Sequence, residues 1–275
     1  MDTEAGDPET NGSATTGAEA TGAEATGAET KRAEMEFVEC PAGGRRVVRT
    51  RTVRLGDVTP SGRLRLDALA RYLQDVAMDD VDDAGITRPW VLRRIALRFG
   101  ELPAFRDTVE LETFCSGTGA RVAERRTTVK VDGEVRVETA AIWVYVDETG
   151  RPLPLEEWFF DLYGRAANSR RVSGRLRLPP PPADAARREW VVRQSDLDVF
   201  GHVNNAVAWV AVEDELARGG ALTGTRMGAA EMEYRAAIDG DDACELVSAS
   251  IPGGIECWLV VDGEPRAAVR VLEGS

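Results

Sequence analysis

The chain has 275 residues, 43% of them hydrophobic, and a formal net charge of −13. That supplies apolar material for a sizeable core in one or two domains, and the acidic balance argues against a nucleic-acid binder. Four dispersed cysteines (Cys40, Cys115, Cys244, Cys257), no CxxC pair and a single histidine argue against a zinc site, and no cofactor is expected.

Residues 1–35 are low complexity, with Thr-Gly-Ala-Glu recurring at 16–19, 21–24 and 26–29. Residues 1–30 hold seven acids and no Lys or Arg, leaving 40 of the 47 acids against 34 bases in the remainder, a net of −6. With almost no large apolar side chains, this segment reads as a disordered acidic tail. It shows neither a secretion signal nor an apolar stretch near 18 residues, so a cytoplasmic protein without a membrane span is expected.

A strand is predicted near 46–53. A helix follows from Leu66 to about Ala84, where Leu69, Tyr72, Leu73, Val76 and Val81 fall near helical spacing and Gly85 is a plausible stop. Strands are then predicted at Ile95–Phe99, Thr108–Phe114, Ala120–Val131 and Glu134–Val146, with an Asp132-Gly133 hairpin turn between the last two. Residues 150–189, rich in Pro and Arg, read as a connector with a short aromatic piece at Trp158–Tyr163.

The pattern then repeats. A strand leads to Asp198, a helix is expected from about His202 to Ala217, and four strands follow between Gly228 and Leu272. Val131-Asp132-Gly133-Glu134 returns as Val261-Asp262-Gly263-Glu264, and Gly62-Arg63-Leu64 parallels Gly201-His202-Val203. The expected fold is α+β: two tandem helix-in-antiparallel-sheet units in one chain, a double hotdog. Its parts are a tail at 1–35, a first unit at 36–149, a connector at 150–189 and a second unit at 190–275.

The lone histidine sits in Asp196-Leu197-Asp198-Val199-Phe200-Gly201-His202-Val203-Asn204-Asn205. Out of context such a residue is an ordinary buried histidine. Here two acids, a glycine and two amides surround it at what reads as a strand end, a tight turn and a helix start. An acid, an imidazole and helix N-terminal N–H groups suit hydrolysis of an activated acyl group. The N–H groups of Val203 and Asn204 are the expected oxyanion donors, with Asn204 a candidate catalytic amide. Glu213 lies 11 residues after His202, near three helical turns, and is a candidate for the same face. Asp196 and Asp198 share a face of an extended strand, and a carboxylate there can serve as general base or as nucleophile.

Over about residues 45–272 the sequence resembles the fatty acyl-ACP thioesterases of plants and bacteria. The resemblance rests on Arg193-Gln194-Ser195-Asp196-Leu197-Asp198 with His202-Val203-Asn204-Asn205. It rests also on Leu73-Gln74-Asp75, Trp90-Val91-Leu92-Arg93-Arg94, Thr108-Val109-Glu110-Leu111-Glu112-Thr113 and Ala141-Ile142-Trp143-Val144. It implies a double hotdog that hydrolyses fatty acyl-ACP in fatty acid biosynthesis, with Asp198 and His202 catalytic and Asp196 left to stabilise the turn. It implies too that the first unit holds the acyl chain, with Leu69, Tyr72, Leu73, Val76 and Trp143 as candidate lining. The plant catalytic Asn position is Phe200 here, and the plant Glu-Cys pair maps to Ala237 and Ile238, so a thiol mechanism there is absent and Cys244 is read as structural. Two other readings stand beside this one: an acyl-CoA or polyketide-acyl hotdog thioesterase, and a non-catalytic acyl-binding module. The implied partner is acyl carrier protein, met through one of five Arg clusters: Arg93-Arg94, Arg125-Arg126, Arg170-Arg171, Arg175 with Arg177, and Arg187-Arg188. A monomer or homodimer is expected.

Overall fold

Two Asp-Gly pairs give the molecule its rhythm. Asp132 and Gly133 adopt φ of 51° and 81°, and Asp262 and Gly263 adopt 53° and 79°. Two consecutive positive φ values are what a two-residue hairpin turn needs to match strand twist. The computed structural model describes residues 38–219 and 228–274; the acidic tail lies outside them.

The first turn joins β4 (Val122–Val131) to β5 (Glu134–Tyr145), and the second joins β9 (Gly254–Val261) to β10 (Glu264–Glu273). The first half also contains β1 (Arg46–Thr52), α1 (Leu66–Asp83), β2 (Trp90–Phe99) and β3 (Thr108–Thr118). The second half contains β6 (Ala186–Glu189), α3 (Ala208–Gly219), β7 (Gly228–Tyr234) and β8 (Cys244–Ile251). Between them α2 (Glu157–Ala167) extends the expected aromatic piece at Trp158–Tyr163. β6 takes the last four residues of the connector into the second sheet half.

All strands form one antiparallel sheet in the order β1-β3-β4-β5-β2-β7-β10-β9-β8-β6. The halves meet at β2 and β7, where Ile95 faces Met232 and Leu97 faces Ala230. This is the double hotdog expected from the repeat. α1 and α3 lie on the inner face and share one core with it, including Leu69, Val76, Leu97, Leu111, Trp209, Met232 and Leu259. Burying each such side chain contributes about 1.5–3 kcal/mol, so the core joins the halves energetically as well as covalently.

The outer face is covered by the connector, whose Leu178 packs on Val247, Trp258, Val260 and Ala268, whereas α2 packs on the inner face beside the end of α1. Phe159 and Tyr163 of α2 pack on Cys115 and Ala123. The connector is pinned by its main chain: the Arg177 and Leu178 N–H groups donate to the buried Glu233 carboxylate, and Trp258 Nε1 donates to the Pro179 carbonyl at 2.9 Å. The sheet's outer strands are arginine-rich. In β1, Arg49 pairs with Asp83 and Asp79, and Arg51 with Asp75, all on α1. At the other end β6 is only Ala186-Arg187-Arg188-Glu189.

The second helix begins at Ala208 rather than at His202. The intervening backbone is committed elsewhere: Leu197 bridges Val203, and His202 bridges Asp239. These pairings hold His202 in a short antiparallel ladder.

α1 ends at a buried charge cluster. Asp80 is 2% exposed and bonds Arg45 Nε at 2.8 Å, Arg125 Nη2 at 2.7 Å and the Tyr163 hydroxyl at 2.9 Å. Burial raises the Asp80 carboxyl, but Arg125, Tyr163 and Arg45 outweigh it and hold the group below the ordinary carboxylate range. A depressed folded pKa adds stability that is complete above the unfolded value of about 3.9 and is lost as pH falls through the folded value. Melting temperature is therefore expected to drop with pH below about 4. Asp80→Asn should show a shallower drop there, together with lower stability at pH 7.

Candidate active site

The site is built on a turn that occurs twice. Asp198 N–H donates to the His202 carbonyl at 2.8 Å, Gly201 N–H donates to the Asp198 carbonyl at 3.1 Å, and Gly201 has φ of 80°. In the first half, Thr59 N–H donates to the Arg63 carbonyl at 2.8 Å, Gly62 N–H to the Thr59 carbonyl at 2.9 Å, and Gly62 has φ of 87°. One separation in sequence relates Asp57 to Asp196, Thr59 to Asp198, Arg63 to His202, Leu66 to Asn205 and Gln74 to Glu213.

In the second turn the Asp198 carboxylate folds back on its own backbone. Its Oδ1 accepts from Phe200 N–H at 2.9 Å and His202 N–H at 3.3 Å. Two donors on one oxygen fix the orientation of the group and leave Oδ2 as the oxygen for chemistry. The His202 side chain is 45% exposed, with Nε2 3.5 Å from Asp239 Oδ1 across the bridge. Asp196 caps the preceding turn by accepting Arg193 N–H at 2.8 Å, the structural task expected of it. Phe200, at the plant Asn position, is 75% exposed.

The expected oxyanion donors are occupied. Val203 N–H donates to the Ile238 carbonyl at 2.8 Å, and Asn204 N–H to the Asp196 carbonyl at 2.9 Å. The Asn204 amide oxygen accepts Ala206 N–H at 2.9 Å, an Asx turn that prepares the helix. Val203 and Asn204 therefore build the loop and donate no backbone hydrogen to a substrate. Among the described residues the Asn205 N–H has no acceptor. It lies one position beyond the donors that a helix start at His202 predicts. Tyr234 steadies Asn205: its hydroxyl, reached by Trp209 Nε1 at 3.1 Å, donates to the Asn205 carbonyl at 2.9 Å.

Glu213 is also placed differently from expectation. Its carboxylate accepts Arg63 Nη1 at 3.0 Å, Arg63 Nη2 at 2.8 Å and Leu66 N–H at 2.6 Å. It serves the first-half turn, across the molecule's internal repeat, and both its oxygens are committed there.

Asn205 and Gln74 open onto a narrow cavity that is partly open to solvent. Leu73, Ala77, Leu92, Ile95, Trp143 and Trp209 supply apolar wall. Of the five expected lining residues, Leu73 and Trp143 line it. Leu69 and Val76 lie fully buried in the shared core instead, and the Tyr72 hydroxyl is held by Asp57 Oδ2 at 2.7 Å.

Cys244 is buried, and that burial pushes its thiol up to about 11. A thiol so disfavoured as thiolate is a poor nucleophile at neutral pH. Cys244→Ala is expected to keep turnover within a few-fold of wild type, measured by thioester cleavage. Among the described residues no group of His, Cys, Asp or Glu could hold a metal, and no helix is long and apolar enough to cross a membrane.

Two family models match the chain: the acyl-ACP thioesterase N-terminal domain over residues 45–161 and the C-terminal domain over 181–264. The chain belongs to the acyl-ACP thioesterase family. It is thus a thioester hydrolase, and the family match spans both halves of the repeat. An uncharacterised protein of Mycobacterium tuberculosis is 24% identical over 238 residues, covering 85% of this chain and 94% of that protein. The palmitoyl-acyl carrier protein thioesterase of Arabidopsis thaliana is 24% identical over 229 residues, covering 70% of this chain and 54% of that protein. Among solved acyl-ACP thioesterases, the 12:0-ACP enzyme of Umbellularia californica superposes with a TM-score of 0.71 at 19% identity, covering 83% of this chain and 96% of that one. That from Bacteroides thetaiotaomicron superposes with 0.69 at 18% identity, covering 83% and 97%. These structural likenesses speak to the double-hotdog fold.

Proposed function

We propose that the protein hydrolyses fatty acyl groups from acyl carrier protein, with Asp198 and His202 as its reacting side chains. The observation that carries this reading is the contrast between the two turns. In the first half, a carboxylate oxygen of Glu213 sits against Leu66 N–H and Arg63. The corresponding seat in the second half has Asn205 N–H and His202, and Gln74 replaces the acid. A carbonyl oxygen can take that seat, with the developing negative charge stabilised by the Asn205 N–H and the His202 imidazole.

Asp198 Oδ2 then accepts a proton from water, which attacks the carbonyl, and the thiolate leaves and takes up a proton. In a direct alternative Oδ2 itself attacks and water opens the anhydride. Label found in Asp198 after a single turnover in ¹⁸O-water identifies the second route, with water opening the anhydride at the Asp198 carboxyl carbon. The cavity walls come mainly from α1, β2, β4 and β5, which supports acyl binding by the unit at 36–149 and chemistry by the unit at 190–275. Four free cysteines support a cytoplasmic setting.

Most of the five arginine clusters are used internally. Arg93 donates to the Tyr234 carbonyl, Arg94 pairs with Glu231, Arg126 and Arg170 with Glu124, Arg187 with Glu245 and Arg188 with Glu215. Arg171, Arg175 and Arg177 of the connector are exposed and are the candidates for meeting an acidic carrier. A panel of acyl-ACPs and acyl-CoAs tests the reading. Cleavage of acyl-ACP should dominate, and charge reversal at these three arginines should lower its kcat/KM more at low salt than at high salt. Faster cleavage of acyl-CoA, indifferent to the reversals, would move the protein to the CoA thioesterases.

A further inference from the structure

The cavity has one wall that an unsubstituted hydrocarbon chain does not require. On β4 and β5, Arg125 faces Ala141 and Thr127 faces Thr139 across the ladder, so these side chains share a face. All four line the cavity, as does Trp143 two residues further on. The adjacent Arg126 points to the other face and pairs with Glu124.

The polar groups on this wall exceed what the protein itself satisfies. The Trp143 Nε1–H is buried with no acceptor among the described residues. Arg125 is 14% exposed and shares the Asp80 carboxylate with Arg45, so two cations face one anion. Tyr163, the remaining group on that carboxylate, is neutral, and Glu124 is occupied on the opposite face. Thr127 donates its hydroxyl hydrogen to Thr113 at 2.9 Å, which leaves its oxygen free to accept. An alkyl chain against this wall leaves a buried donor unmet, whereas an oxygen on the chain satisfies it.

Resting on the thioesterase reading above, we propose that the preferred acyl group carries an oxygen function, a hydroxyl or oxo group. Trp143 Nε1–H, Arg125 and the Thr127 and Thr139 hydroxyls read it. Gln74 at the mouth and Asp80 behind Arg125 are six residues apart on α1, about 9 Å of helical rise, so the oxygen lies well along the chain from the thioester.

The test uses the full-length protein and acyl-ACPs of one chain length, either unsubstituted or with a hydroxyl or oxo group at successive positions. The expected result is a substituted chain with kcat/KM about tenfold above its unsubstituted counterpart, the scale of one hydrogen bond. In Trp143→Phe, and in the paired Thr127→Val/Thr139→Val variant, that ratio should fall toward one. An unsubstituted chain preferred throughout, or a ratio untouched by both variants, would overturn the proposal. Calorimetric binding of the same acyl groups to Asp198→Asn separates this from failure of the hydrolytic reading. Tighter binding of the substituted chain supports the polar wall even without turnover, and equal binding refutes it.

Discussion

Asp198→Asn and His202→Ala are each expected to lower turnover by about 10²-fold or more, the usual scale for a positioned acid–base group. Asn keeps the size of Asp198 and an amide oxygen to accept from the Phe200 and His202 N–H groups, so the turn should survive. What it loses is an oxygen able to take a proton or to attack. His202 reaches its position through backbone bonds that any residue makes: its carbonyl accepts from Asp198 N–H, and its own N–H donates to Asp198 Oδ1. Alanine should therefore leave the ladder intact and remove only the imidazole. Circular dichroism and melting should match wild type while acyl-ACP cleavage collapses. A folded variant within a few-fold of wild-type turnover would remove the corresponding residue from the chemistry.

Glu213→Ala should instead be costly for stability and mild for catalysis. The Glu213 and Arg63 side chains are 10% and 19% exposed, and the carboxylate also holds Leu66 N–H at the start of α1. Removing it strands a largely buried guanidinium and a helix N-terminal donor together. Breaking such a pair costs about 3 kcal/mol or more, or roughly 6–12 °C in melting temperature for a domain of this size. Glu213→Gln, which keeps an acceptor for Leu66 N–H, should lose less. kcat of the folded Ala variant should stay within a few-fold of wild type. A catalytic Glu213 would give the reverse pattern, with an unshifted melt and lost turnover.

The fold was legible because its signals are local and occur twice. Asp132-Gly133 and Asp262-Gly263 mark turns wherever they occur, and the apolar spacing of Leu66–Ala84 marks a helix without reference to the rest of the chain. The errors arise where distant backbone intervenes. Gly201-His202-Val203-Asn204-Asn205 carries the local marks of a helix start, yet Ile238 and Asp239 claim that stretch as ladder. Helix spacing from His202 to Glu213 therefore fails, because only residues 208–213 of that stretch are helical, and Arg63 holds Glu213 from the opposite half. Strand alternation separates Arg125 from Arg126 but does not say which one faces the cavity. The Asn205 N–H was invisible for a different reason: every residue but proline has one, and only the complete set of partners shows which is left without an acceptor.

The arginine-bearing margins of the sheet bear on how the protein behaves in company. An open sheet of this width is a template onto which a neighbour's strand could zip, and each addition would expose a fresh template. Here one margin is too short to guide a strand, and the other keeps its arginines tied to a helix of the same chain. Both margins thus oppose strand-by-strand growth of the sheet. The duplication gives each hotdog unit a sheet neighbour from within, while charge along the borders disfavours pairing of the sheet's edges with another strand.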